Sequence, residues 1–273
     1  MQTLDRIGQW PVDNASAAVV YDGGRGVAHF GDQRRVYSLA SVTKLLCAYA
    51  ALVAVEEGAI ELDQPAGPPG STVRHLLAHA SGLAFGDRTV QAAPGVKRIY
   101  SSAGFEVLAE FVEAETGIVF PDYVAEAVFA PLGMTDSALV GPAGHGAQAS
   151  VRDLAAFAAE LLRPTLISPQ THTDATRVQF RGLAGLLPGY GPQRPNDWGL
   201  GFEIRDGKSP HWTGAGNSPD TYGHFGQSGT FLWVDPQVDA ACVVLTDRAF
   251  GDWAKPLWLE VSDAVLGELR PRG

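Results

Sequence analysis

Residues 38–58 read SLASVTKLLCAYAALVAVEEG: a short small-and-polar lead followed by an almost unbroken apolar run. Leu45, Leu46, Tyr49, Leu52 and Val53 recur at helical spacing and Gly58 is placed to stop the helix, so the segment reads as a mostly buried helix. Ser41 and Lys44 stand at its start, three apart and therefore on one face. A lysine is an odd choice there, because the positive end of the helix dipole and burial both disfavour its charge. Conflict of this kind between a residue and its surroundings marks functional sites. A serine in the same turn lies beside backbone N–H groups without intrahelical partners, which suit an oxyanion forming at an attacked carbonyl.

A free lysine titrates near 10.4, so acting as a base at neutral pH requires lowering by about 3 pKa units, which burial and a donor-rich setting can supply. Alternatively Lys44 stays charged and lowers the pKa of a neighbouring phenol. A phenol stands at Tyr100-Ser101-Ser102, just before a helix expected from Ala103 to Thr116. A third candidate stretch is Gly223-His224-Phe225-Gly226-Gln227-Ser228-Gly229-Thr230, a glycine-rich turn leading into the strand-like TFLWVD, where a backbone can approach a substrate closely.

Outward from these segments, SAAVVYD and GVAHFGD read as a hairpin around Gly23-Gly24-Arg25-Gly26. The middle of the chain reads as helices at Thr72–His79, Ala103–Thr116, Pro121–Phe129 and Val151–Leu162, the last opened by Ser150 as N-cap. Residues Pro188 to Asp197 read as a loop. Strand character returns at Leu200–Arg205, Thr230–Val234 and Ala240–Thr246, before a final helix at Ala254–Leu269. This order predicts an α+β fold with a largely antiparallel sheet assembled from both chain ends: residues 1–58 and 198–273 form the sheet domain, 59–197 a helical domain, with the site in the cleft between them.

The 273 residues are 45% apolar and 18% charged, enough for a sizeable core, and the net charge of −10 without a basic cluster argues against a nucleic-acid partner. No apolar run reaches membrane-spanning length, and the opening MQTLDRIGQWPVDN lacks a signal-peptide pattern, which predicts a cytoplasmic location, or export if a leader has been removed. Cys47 and Cys242 sit in apolar segments and read as small buried hydrophobes. His75 and His79 have zinc-ligand spacing, but Leu76 stands where the H-E-x-x-H glutamate would be, so no metal is expected. His29, His145, His172 and His211 carry no motif and read as exposed or capping. No phosphate-binding loop or G-x-S-x-G elbow occurs, so neither a nucleotide cofactor nor an α/β-hydrolase is indicated.

Taken together, Ser41-Val42-Thr43-Lys44, Tyr100-Ser101-Ser102 and His224-Phe225-Gly226 resemble the S-x-x-K, Y-x-N/S and K/H-x-G motifs of the penicillin-recognising serine hydrolases: class C β-lactamases, serine DD-peptidases and esterases of the same fold. His75-Leu76-Leu77-Ala78-His79-Ala80-Ser81-Gly82-Leu83 and Pro131-Leu132-Gly133-Met134 are similar to further segments of that family. The resemblance implies a β-lactamase/transpeptidase-like fold, no cofactor and a small ester, amide or lactam substrate. It makes Ser41 the acylated nucleophile, Lys44 and Tyr100 a coupled proton-transfer pair, and the backbone N–H groups of Ser41 and Gln227 the oxyanion hole. Ser102, His224, Phe225 and Gly226 would contact substrate. Ser102 replaces an asparagine, Phe225 a threonine that bonds a substrate carboxylate, and His224 the lysine of most β-lactamases. These departures favour a neutral ester or amide, with a β-lactamase or D-Ala-D-Ala carboxypeptidase activity, or an inactive binding protein, as alternatives.

Overall fold

The computed structural model describes residues 1–270. In chain order the strands are β1 (Ala15–Tyr21), β2 (Gly26–Phe30), β3 (Val36–Ser38), β4 (Ala138–Leu139), β5 (Ala147–Ser150), β6 (Gly185–Leu187), β7 (Gly191–Gln193), β8 (Glu203–Ile204), β9 (Tyr222–Gly226), β10 (Thr230–Asp235) and β11 (Ala240–Thr246). The helices are α1 (Thr43–Glu56), α2 (Val73–Leu77), α3 (Ser102–Thr116), α4 (Phe120–Val124), α5 (Val151–Leu162), α6 (Pro169–Thr176) and α7 (Ala254–Leu269), with a 3-10 turn at Ala40–Val42 leading into α1.

A six-stranded sheet in the order β2-β1-β11-β10-β9-β8 is antiparallel throughout and joins the two ends of the chain, with Val19 opposite Cys242 and Cys242 opposite Trp233. Because successive strand residues alternate between faces, the sheet separates two cores. Ala18, Val20, Leu232 and Val243 join the core that holds α1 and the helical region, and α5 lies against β1 and β11. Val19, Trp233 and Val244 face the other way, against Trp258, Val261 and Val265 of α7. Both cysteines are free and buried, Cys47 in the first core and Cys242 in the second. α5 itself comes from the stretch expected to form the helical domain.

Several elements arise as the local chemistry dictates. Gly58 ends α1 at φ 72°, the Ser150 hydroxyl accepts from the Asp153 N–H at the start of α5, and α7 spans the expected residues. Three differences stand out. The glycine-rich stretch expected to be a turn contains β9, the turn itself being confined to the residues before β10; Leu200–Arg205 contributes only the short β8; and the loop around Pro188 carries the β6–β7 hairpin. Among the described residues no helix is long and apolar enough to cross a membrane.

Candidate active site

Ser41 sits in the 3-10 turn immediately before α1, and the residue preceding it, Ala40, is held at φ 46°. A left-handed alanine is strained by about 1–2 kcal/mol, so the surrounding structure must impose it. The stitching is visible. Thr230 Oγ1 donates to Leu39 O at 2.9 Å, Ser228 Oγ donates to Ser38 O at 2.7 Å, and Leu39 N donates to Ala147 O at 3.0 Å. Gly226 makes this approach possible, since a Cβ there would lie 2.3 Å from Leu39 O and 2.5 Å from Thr230 Oγ1. The turn bearing Ser41 is thus pinned to the end of β9. Gln227 follows β9 and is exposed, and among the described residues its backbone N–H finds no acceptor while its carbonyl receives Phe250 N at 2.8 Å. A free N–H on the segment adjoining a helix start is the arrangement an oxyanion requires.

In the first turn of α1, Lys44 is fully buried. Its Nζ donates to Gly144 O at 2.6 Å and Ser102 Oγ at 3.1 Å, and lies 4.6 Å from the centre of the Tyr100 ring. Burial lowers its pKa from 10.5 to about 7, against smaller upward pulls that include the Glu106 carboxylate. Tyr100, also buried, is pushed upward by the same desolvation, opposed by the neighbouring Ser41 hydroxyl. The Tyr100 hydroxyl nevertheless closes no hydrogen bond of normal geometry, to Ser41 or to any other described residue. The phenol therefore rests protonated beside the serine, and the neutral amine is accessible at physiological pH.

Tyr100 is framed by aromatic rings, with His79 at 4.7 Å, His224 at 5.5 Å, Trp198 at 5.7 Å and Phe85 at 5.8 Å between centroids. His79 Nδ1 accepts from Ser101 N at 3.1 Å, fixing the backbone directly after Tyr100. Two residues earlier, the buried Arg98 guanidinium donates to Asn196 O at 3.0 Å and to Gln179 O at 2.7 Å, and also to Ala78 O. His224 reaches the site from β9, where burial, reinforced by Lys44, lowers its pKa to about 3, and neither ring nitrogen has a hydrogen-bond partner.

Ser41, Lys44, Tyr100, Ser102, His224, Gly226 and Gln227 are therefore gathered at one place, but Phe225 is not. Its side chain points to the opposite face of β9 from His224 and packs with Phe250 at 5.1 Å and Trp258 at 5.8 Å in the second core. The expected substrate contact is corrected by the period-two alternation of a strand. Ser102 does something not expected of it, receiving Lys44. His211, read as exposed or capping, is buried with Nε2 3.0 Å from Glu203, which also binds Lys208 at 2.8 Å.

Sequence reasoning missed Glu106 and Gly144. Glu106, on α3, accepts Gly144 N at 2.8 Å and Ala143 N at 3.2 Å, and so clamps the loop whose carbonyl receives Lys44. Close packing leaves no room for a side chain at 144, where a Cβ would meet Ser102 Cβ at 2.8 Å.

A serine at a helix start, a buried amine of lowered pKa, a phenol and a free strand-end N–H, on an antiparallel sheet joined to a helical region, define the serine hydrolases of the β-lactamase fold. The chain belongs to the beta-lactamase family, whose model matches residues 12–264. It is 61% identical to a solved structure named as a beta-lactamase from Mycobacterium bovis, covering 98% of this chain and 99% of that one with a TM-score of 0.96. A mutant simvastatin synthase from Aspergillus terreus shares the fold at 18% identity, 98% and 93% coverage and a TM-score of 0.79. A Salmonella heidelberg protein named provisionally as a D-alanyl-D-alanine carboxypeptidase is 26% identical over 211 residues, 60% of this chain and 48% of that protein. The chain thus spans about half the length of the curated relatives it matches.

Proposed function

We propose that the protein hydrolyses small uncharged esters or amides through an acyl-enzyme on Ser41. The observation that carries this reading is the buried Lys44 amine, brought to about 7 beside a protonated phenol and the serine that begins its helix. Ser41 Oγ attacks the carbonyl carbon and its proton passes to the Lys44–Tyr100 pair. Lys44 supplies the basicity, Tyr100 the proximity. The backbone N–H groups of Ser41 and Gln227 hold the oxyanion. As the carbonyl re-forms, the bond to the leaving alcohol or amine breaks and that group takes the proton from the pair. Water, deprotonated by the same pair, then attacks the acyl-serine and releases the carboxylic acid and Ser41.

An uncharged substrate is favoured by what surrounds the serine. β-Lactams and peptide C-termini carry a carboxylate, yet His224 is held neutral and Phe225 points away. A missing charged donor costs a carboxylate about 1.5–3 kcal/mol of binding. The 61% identity to a protein named as a beta-lactamase supports a second reading, hydrolysis of a lactam or D-amino-acid peptide at the same serine. Assaying a chromogenic short-chain ester beside a chromogenic cephalosporin, each with wild type and Ser41→Ala, separates the two. Ester turnover abolished by the substitution supports the first reading. Cephalosporin turnover exceeding it in kcat/KM establishes the second, and equal inertness of both proteins toward every acyl donor leaves a binding protein of the same fold.

A further inference from the structure

Beyond Tyr100 the molecule keeps apolar surface where water would be expected. Phe85 is 60% exposed and Leu186 63%, and both line a cavity of about 310 Å³ with Ile99, Pro188 and Tyr100 itself. Val90 and Val96, in the same stretch of chain as Phe85, are also exposed. Contiguous exposed apolar surface of this kind marks a binding site.

The walls are built rather than incidental. Phe85 O receives both Ser102 N at 2.8 Å and Ala103 N at 3.2 Å, which fixes Phe85 at the start of α3. Its ring lies nearly parallel to that of Tyr100, with an interplanar angle of 26°. Leu186 is carried by the β6–β7 hairpin, which docks through Arg98 N to Ala184 O at 3.0 Å onto the segment leading to Tyr100. Both apolar side chains thus project from backbone tied to the residues that place the phenol. No carboxylate lines the cavity; its two cations are Lys97, which is exposed, and Arg98, whose buried guanidinium donates to the carbonyls of Asn196, Ala78 and Gln179.

We infer that this cavity receives a hydrophobic arm of the ester, an alkyl or aryl group carried by the carbonyl or by the alcohol, and that Phe85 and Leu186 set the preference for its length. The inference rests on the hydrolase reading and deepens it: Tyr100 both lines the cavity and stands beside Lys44 at the reacting centre, so the two adjoin. An uncharged apolar arm suits walls formed by Phe85, Ile99, Leu186 and Pro188.

Two homologous series test it: p-nitrophenyl esters from acetate to octanoate, and acetates of linear alcohols from ethanol to octanol. In one of the series kcat/KM rises about fourfold per methylene over the first carbons, the factor that corresponds to burying a CH₂, and the series that rises identifies the arm. Leu186→Ser and Phe85→Ala, at exposed positions where substitution does not threaten the fold, lower kcat/KM for the longest ester of that series at least fivefold more than for acetate, chiefly through KM. Ser41-dependent turnover of acetate with both series flat overturns the inference and leaves the hydrolase reading intact. Flat series together with altered sedimentation of Leu186→Ser assign the patch to contact between copies of the chain, which also overturns it. Failure of wild type to turn over any member sinks the hydrolase reading, and this inference with it.

Discussion

Replacing Lys44 by methionine is expected to abolish hydrolysis and stabilise the fold. The unfolded chain holds this amine at 10.5, whereas burial brings it to about 7 in the native state, so the fold disfavours the charged form by on the order of 4–5 kcal/mol. Methionine has similar length and no charge to bury. Its cost is the loss of the donors to Ser102 Oγ and Gly144 O, the latter a buried carbonyl left unpaired, about 1–3 kcal/mol. The net gain at pH 7 is about 2 kcal/mol, or roughly 4–8 °C in Tm for a chain of this size. The sign of the pH dependence follows from the direction of the shift. Between about 7 and 10.5 the unfolded state binds the proton that the native state has released, so wild-type stability rises with pH across that window and the variant lacks this rise. Thermal and urea unfolding of both proteins at pH 7 and pH 9 measure it: the variant is the more stable at pH 7, and by pH 9 the advantage has vanished. A variant that melts below wild type at pH 7, or a difference that ignores pH, refutes the account of Lys44 as a buried, destabilised base.

Tyr100→Phe removes a hydroxyl with no hydrogen-bond partner of normal geometry, so Tm should change by less than about 2 °C while kcat falls about 10²-fold or more, read by calorimetry and steady-state kinetics. In wild type kcat/KM should rise through an inflection near pH 7 as Lys44 loses its proton. Glu106→Ala frees Ala143 N and Gly144 N and removes a group that raises the Lys44 pKa, so activity should drop roughly tenfold and the inflection move below 7 in the pH profile. Gly226→Ala drives a Cβ into Leu39 O and should cost about 2–3 kcal/mol in urea unfolding along with most of the turnover, because the turn carrying Ser41 must shift.

The parts of the fold that could be read from sequence are those where one local signal suffices. The apolar run of α1, the Ser150 cap of α5 and the period of α7 each carry their own instruction. What could not be read depends on distant partners. β9 is a strand because β10 and β8 flank it, and Tyr222-Gly223-His224-Phe225-Gly226 alone looks like a turn. Lys44 was legible as a charge in conflict with its surroundings and Ser41 by its spacing from it, whereas Tyr100 was assigned its role by the resemblance of Tyr100-Ser101-Ser102 to a family motif. Glu106 and Gly144 were not, since an exposed-looking helix glutamate and a loop glycine gain their meaning only when α3 and the loop before β5 meet over Lys44. Phe225 could have been placed correctly from alternation along β9 once His224 was known to face the serine. The resemblance put it in the site, because Phe225 occupies the middle position of His224-Phe225-Gly226, where many relatives carry a threonine.

Catalysis by Ser41 with Lys44 and Tyr100 is tested most directly by where an acyl group lands and how fast. Rapid quenching of the protein with a p-nitrophenyl ester, followed by intact mass and peptide mapping, should find the acyl adduct on Ser41, absent from Ser41→Ala and formed at least a hundredfold more slowly in Tyr100→Phe. An adduct on any other residue, or one that forms at the wild-type rate without the phenol, would contradict it.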